Sequence, residues 1–240
     1  MKQVIQQNQQ GITLARQGHN RSALKHFNLA IEKYPNLPLS NSHNPKYSLY
    51  SNRGLTKEHL HDFKGALADY NQALSLNPRY AVGYCNRGGA EYNLGHYSKA
   101  IADFKRAIKF KNDYEKAYFF LGSAEMKAGK NHSATQAFNH LIKLNSKIFL
   151  PFFERGCAEL ADQEYQAAIS DFKRANHLNL NNGASKVAIL NNLGMAENNV
   201  HQYSQAIPVL KQALKLIPNN QYALTNLKIA QRGRKQERKR

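Results

Sequence analysis

The sequence predicts an all-α protein built as a stack of helical hairpins, and three observations carry that expectation. Glycines recur at Gly54, Gly88, Gly122 and Gly156, each 34 residues after the last. An alanine follows each glycine at a fixed distance (Ala66, Ala100, Ala134, Ala168), and a large ring follows each alanine (Tyr70, Phe104, Phe138, Phe172). Between these markers the apolar residues are spaced by three and four, the period of a helix with one buried face. A lone hairpin of this size cannot bury its apolar faces, whereas stacked copies share a continuous core, so the expected form is an α-solenoid rather than a globule.

The first unit, 4–37, carries Gly11, Ala23, Phe27, Ala30 and a closing Pro35, but has Gln7 where the later units place an aromatic or leucine. The stretch 38–46, rich in Pro, Ser and Asn, is expected to be a loop insertion. Units 47–80, 81–114, 115–148 and 149–182 follow without a gap. Residues 183–186 are expected to lengthen a turn before the unit 187–220, which carries Gly194, Ala206, Leu210, Ala213 and Pro218. Pro208 lies inside a helix of that unit and removes one backbone donor, which predicts a kink. Residues 221–231 place Leu224 and Leu227 as a capping helix would, and 232–240, RGRKQERKR from Arg232 within it, reads as a disordered basic tail.

Six copies with glycine at position 8 of the unit, alanine at 20, a large apolar residue at 24, alanine or leucine at 27 and, in three copies, proline at 32 resemble the tetratricopeptide repeat (TPR) family. The resemblance spans residues 4–220 and implies a right-handed α-α superhelix of antiparallel helix pairs, with a concave groove that takes a segment of another protein. The chain departs from the family pattern in lacking Trp and in placing Glu91, Glu125, Glu159 and Glu197 where an aromatic is usual. One further pairing comes from comparing the copies. Arg53, Arg87 and Arg155 at position 7 accompany Asp69, Asp103 and Asp171 at position 23; where Leu121 or Leu193 stands at position 7, position 23 is Ala137 or Val209. Charges that come and go together predict a bridge between the two helices of a hairpin. The other reading, three arginines held out for an acidic ligand, conflicts with a helix geometry that turns position 7 inward.

Composition narrows the function. The 240 residues hold 34 Lys and Arg against 16 Asp and Glu, a net charge of +18, which admits nucleic acid, anionic membrane or acidic proteins as partners without choosing among them. Two cysteines, Cys85 and Cys157, make no disulfide framework or C-x-x-C motif, and a reducing, cytoplasmic setting is the expectation. No apolar run is long enough to span a membrane, and no phosphate-loop, dinucleotide, zinc-protease or serine-hydrolase motif occurs. His59 and His61 are two residues apart and share no helix face. No catalytic, cofactor or metal site is expected, and the protein reads as a non-enzyme.

At about 100° per residue, positions 2, 5, 6, 9, 12 and 13 of each first helix point away from its partner, toward the concave side. They include Tyr92, Phe119, Phe120, Met126, Leu150, Phe153 and Leu160, an aromatic and apolar set of the kind that marks an interaction surface, with Lys116 beside it. Phe153 reads equally as a ring packed sideways on its neighbour. Asn52, Asn86 and Asn192 fill position 6, and by resemblance to TPR proteins with an asparagine ladder they would hold peptide backbone; solvated amides are the other reading. The carboxylate clamp of chaperone-binding TPR domains is matched at only two of five places, by Asn86 and Lys116. The inward positions carry a net charge of +1, whereas residues 228–240 carry +6. The expected function is an adaptor binding a peptide or helix of a partner protein. The alternative is binding of nucleic acid or an anionic membrane through the outer surface and the tail, with Arg232, Arg234, Lys235, Arg238, Lys239 and Arg240.

Overall fold

The computed structural model describes residues 2–34, 46–180 and 183–239. Among them are thirteen α-helices and no strand. The chain divides into two compact units, Met1–Ala124 and Glu125–Arg240. The first holds the hairpins α1 (Lys2–Arg16) with α2 (Asn20–Glu32), α3 (Lys46–His59) with α4 (Phe63–Leu76) and α5 (Ala81–Asn93) with α6 (Tyr97–Phe110). It ends within α7 (Glu115–Lys127). The second contains α8 (Asn131–Leu144), α9 (Phe149–Ala161) with α10 (Tyr165–Leu178), α11 (Ala184–Asn199) with α12 (Tyr203–Leu216), and the terminal α13 (Gln221–Glu237). In each unit, successive helices pack antiparallel, and alternate helices also touch, as α1 does α3, α3 does α5 and α9 does α11.

The repeating glycines earn their place by close approach. A Cβ on Gly54 would sit 2.7 Å from the Tyr70 ring, on Gly88 2.8 Å from Phe104, and on Gly156 2.8 Å from Phe172. No side chain fits there, so the two backbones of a hairpin close directly onto the ring between them, and Tyr70, Phe104 and Phe172 are fully buried. The small residues at positions 20 and 27, such as Ala66, Ala73, Ala100 and Ala107, are also fully buried.

The turn between the helices of each hairpin repeats too. Its fifteenth residue is left-handed every time: Gly18, Gly95 and Gly129 at φ of 71–80°, but also His61, Gln163 and His201 at 60–63°. The next N–H then reaches back five residues to a helical carbonyl, as His96 N does to Glu91 O at 2.9 Å and Gln202 N to Glu197 O at 2.8 Å, closing the helix end. His61 therefore lies in a turn, off α3, while His59 is the last residue of that helix.

Two expectations need revision. Residues 184–186 are the first turn of α11 rather than loop, and Lys186 Nζ donates to the Asn176 and Asn179 carbonyls (2.7 and 3.1 Å), satisfying the end of α10. The last helix runs to Glu237, six residues past the expected end, so 232–237 are helical and not a disordered tail. The reason is Gly233: its Cα lies so close to the Tyr203 ring that a Cβ would sit 2.3 Å from it, and with Ala223 and Ala230 it is buried. The insertion 38–46 lies outside the described residues except for Lys46, which opens α3, and Pro35 and Arg240 lie outside them as well.

Candidate functional site

The arginines at position 7 are structural. In α5, Arg87 Nε and Nη2 each donate to an Asp103 carboxylate oxygen at 2.7 Å, and Nη1 donates to Asn71 Oδ1 at 2.7 Å. Arg53 repeats the fork on Asp69 (2.9 and 2.6 Å) with Asn28 as third partner (2.8 Å). Arg155 does so on Asp171 (2.6 and 2.6 Å) with Asn139. Each guanidinium also lies over the ring at position 4, Tyr50, Tyr84 or Phe152, at 5.4–5.7 Å. The asparagine is contributed by the preceding hairpin, so the arginine ties three helices together. The sequence contains a signal for it: position 25 is Asn28, Asn71 or Asn139 before an Arg-bearing unit, but Lys105 or Lys173 before a Leu-bearing one. Lys173 takes up a different partner, the buried Glu197 at 3.7 Å.

In the first unit, the face formed by α1, α3 and α5 carries the candidate binding residues. Asn52 Nδ2 donates to Asn8 Oδ1 at 3.2 Å and Asn86 Nδ2 to Ser51 Oγ at 3.4 Å. These position-6 amides are rungs from one helix to the previous first helix of the stack, and Asn86 is buried rather than solvated. Phe120 stacks on Phe104 at 5.9 Å and meets Phe119 edge-on at 5.5 Å, with the Lys116 ammonium over its face at 5.8 Å. Both phenylalanines are half-buried rather than freely exposed, and Lys116 is exposed. Tyr92 is half-buried against Tyr97 at 5.5 Å. Burial pushes the Glu58 carboxyl up, against a hydrogen bond donated by Tyr70 Oη at 3.0 Å and the charge of Lys116. On the same side, a cavity of about 310 Å³ opens between α1 and α3, lined by Ile12, Ala15, Arg16, Phe27, Asn52, Leu55, Thr56 and His59. Of its lining, only Asn52 was singled out by sequence; the cavity has no sequence signal because it depends on how far α1 and α3 splay.

In the second unit, Phe153 packs sideways: it belongs to the core around Phe152, Ile169 and Phe172, with its ring 6.0 Å from Phe172. Asn192 Nδ2 donates to Cys157 Sγ at 3.4 Å, and Asn226 of α13 donates to Asn191 Oδ1 at 3.0 Å, another rung. Met126 is half-buried on α7. Neither thiol is primed for attack. Burial raises Cys85, and burial followed by the nearby Glu154 pushes Cys157 up to about 12. Glu159, in a buried cluster with Asp171 and Arg155, is pushed up to about 7, first by burial and then by Asp171. Among the described residues no helix is long and apolar enough to cross a membrane.

A repeat of a glycine-ring contact, an inter-hairpin arginine and a left-handed turn defines the class, a helical-repeat protein of stacked antiparallel pairs. The chain belongs to the tetratricopeptide repeat family: one tetratricopeptide repeat model matches residues 47–80, 115–148 and 187–220, and a second TPR repeat model matches 88–129, together more than half of the chain. Tetratricopeptide repeat protein 36 of Danio rerio is 39% identical over 77 residues, 32% of this chain and 36% of that protein, so the match spans about a third of the relative. Among solved structures, the fold is similar to that of YrrB, a TPR protein with an unusual peptide-binding site (TM-score 0.70, 20% identity, 84% of this chain and 97% of that one). It is also similar to PilF of Pseudomonas aeruginosa (TM-score 0.74, 17% identity, 93% and 96% covered). At these identities the likeness is one of fold.

Proposed function

We propose that this protein is a non-enzymatic adaptor that binds a peptide segment or helix of a partner protein on the face formed by α1, α3 and α5. The observation that carries the reading is the cavity between α1 and α3, lined by the apolar Ile12, Ala15, Phe27 and Leu55 together with Arg16, Asn52, Thr56 and His59. An aliphatic or aromatic side chain of the ligand fits such a recess, and Leu55, 39% exposed, is its most accessible apolar contact. Lys116, Phe119 and Phe120 extend the surface along α7. The position-6 amides support the ligand less directly than a peptide ladder would, since one N–H of each is spent between helices. The peptide-binding site named for YrrB is consistent with this reading and belongs to that protein.

The test is selection from a random peptide display library against the full chain, followed by calorimetry of the selected peptides. Sequences with an apolar anchor are expected to bind with affinity little changed by salt, and Leu55→Glu is expected to weaken them by at least about 2 kcal/mol, the scale of a lost central anchor. Phe119→Ala tests the extension along α7. Selection of acidic sequences that Leu55→Glu leaves bound would overturn the assignment.

A further inference from the structure

The final helix presents a surface that the groove does not use. Ala223, Ala230 and Gly233 turn one side of α13 into the core. At about 100° per residue, Lys228, Arg232 and Lys235 fall within a narrow strip on the opposite side, and Lys239 follows in the turn just past the C-cap Arg238. All four are exposed, and among the described residues none has an ion-pair partner. Gln221 and Thr225 continue the strip toward the start of the helix, and the acidic residue of the segment, Glu237, points away from it. With a rise of about 1.5 Å per residue, Lys228 to Lys235 form a straight row about 10 Å long, which Lys239 extends past the end of the helix.

We infer that this row is a binding site for the phosphate backbone of nucleic acid, read for charge and not for base sequence. Three features choose this occupant over other anions. A bilayer-surface helix inserts a continuous apolar face of its own, whereas the large apolar residues that α13 exposes are Tyr222 and Ile229, seven positions apart on one flank of the strip. A protein interface is organised around a desolvated apolar anchor, and the strip has none. What remains is a line of like charges that meets a rod of regularly spaced phosphates, each cation releasing a condensed counterion. No aromatic side chain lies in the strip to stack on a base; Tyr222, 76% exposed, is on its flank.

The experiment is fluorescence anisotropy of the full chain with labelled duplex DNA and duplex RNA of mixed sequence over a range of salt. Alongside run polyglutamate and vesicles of phosphatidylcholine with phosphatidylserine. For four phosphates neutralised, the log–log salt slope on duplex DNA is expected to include about −3.6 from the row. Changing Lys228, Arg232, Lys235 and Lys239 together to Gln should remove that part of the slope and weaken binding at least about tenfold at low salt. A control with the same loss of charge, Lys64→Gln, Lys99→Gln, Lys109→Gln and Lys143→Gln, uses exposed residues of other helices and should leave most of the binding in place. Circular dichroism checks that both variants fold. Relative affinity for the two duplexes separates RNA from DNA as the source of the phosphates. Equal weakening by both variants would reduce the effect to net charge and overturn the site. So would row-dependent binding to vesicles or polyglutamate that matches or exceeds binding to either duplex.

Discussion

Asp103→Ala removes the carboxylate that holds Arg87 and leaves the guanidinium with Asn71 and the Tyr84 ring. Both Asp103 oxygens are engaged at 2.7 Å, and the Arg87 side chain is 21% exposed. Breaking a fully buried pair costs about 3–5 kcal/mol. The one-fifth exposure of Arg87 lets water reach the stranded charge, so the lower end, about 3 kcal/mol, is expected. Arg87→Leu with Asp103→Ala copies the chemistry of the Leu121 and Ala137 unit and should recover much of the loss, because no unpaired charge stays behind. Asn71→Lys completes the copy, since lysine precedes leucine in the stack, and should recover more. Urea unfolding followed by circular dichroism reads the differences, with hydrogen exchange on α5 and α6 in case the array opens in parts. A double variant no more stable than Asp103→Ala alone would refute the account, as it would show that the arginine is not the source of the cost.

The left-handed turns give a second expectation. An L-residue at positive φ costs about 1–2 kcal/mol, while glycine costs about 0.5–1 kcal/mol in lost chain entropy, so Gln163→Gly should stabilise by a few tenths to about 1 kcal/mol, and a loss of stability in thermal melts would count against it. A third concerns pH. Glu159 binds its proton more tightly folded, at about 7, than at its ordinary value of 4.5; its contribution is complete below the unfolded value and declines as pH rises from about 4.5 to about 7. Glu159→Gln should therefore gain melting temperature relative to the parent as pH rises across that window, and a difference flat with pH would contradict the assignment.

Much of this could be read from sequence, because repetition turns one chain into six aligned copies. The glycine–ring contacts and the Arg–Asp forks each leave a mark at two fixed positions, and comparison of copies exposes them. The same comparison would have found Asn28, Asn71 and Asn139, whose partners lie in the next copy and not in their own. The end of α13 was not legible. RGRKQERKR has the composition of a solvated tail, and nothing local distinguishes it from the outer face of a helix; the difference lies in Gly233 meeting Tyr203, a contact between residues thirty apart. Phe153 was ambiguous because its position tells which way a ring leaves the helix, not how near the next helix stands. The position-6 asparagines were read as facing a ligand for the same reason: a wheel gives direction, and the neighbour 3.2–3.4 Å away is a fact of stacking.

The disposition of charge ties these observations together. Two polar solutions are seen at hairpin junctions: an arginine fixed by aspartate and asparagine, at Arg53, Arg87 and Arg155, or, before Leu193, a lysine, Lys173, that reaches forward to Glu197. Either way, the charges that come near the core are consumed there. The inner face is left close to neutral, so a ligand held at the α1–α3 cavity gains little from attraction at a distance and must be selected by apolar fit. The row on α13 is the reverse, four unpaired cations with no recess. Binding at the two surfaces should therefore differ in kind: the first persists as salt is added and depends on Leu55, the second fades with salt and depends on Lys228, Arg232, Lys235 and Lys239. One salt titration of the full chain with both ligands, repeated with Leu55→Glu, separates them. If added salt released both ligands alike, the division of labour argued from the charge pattern would be wrong.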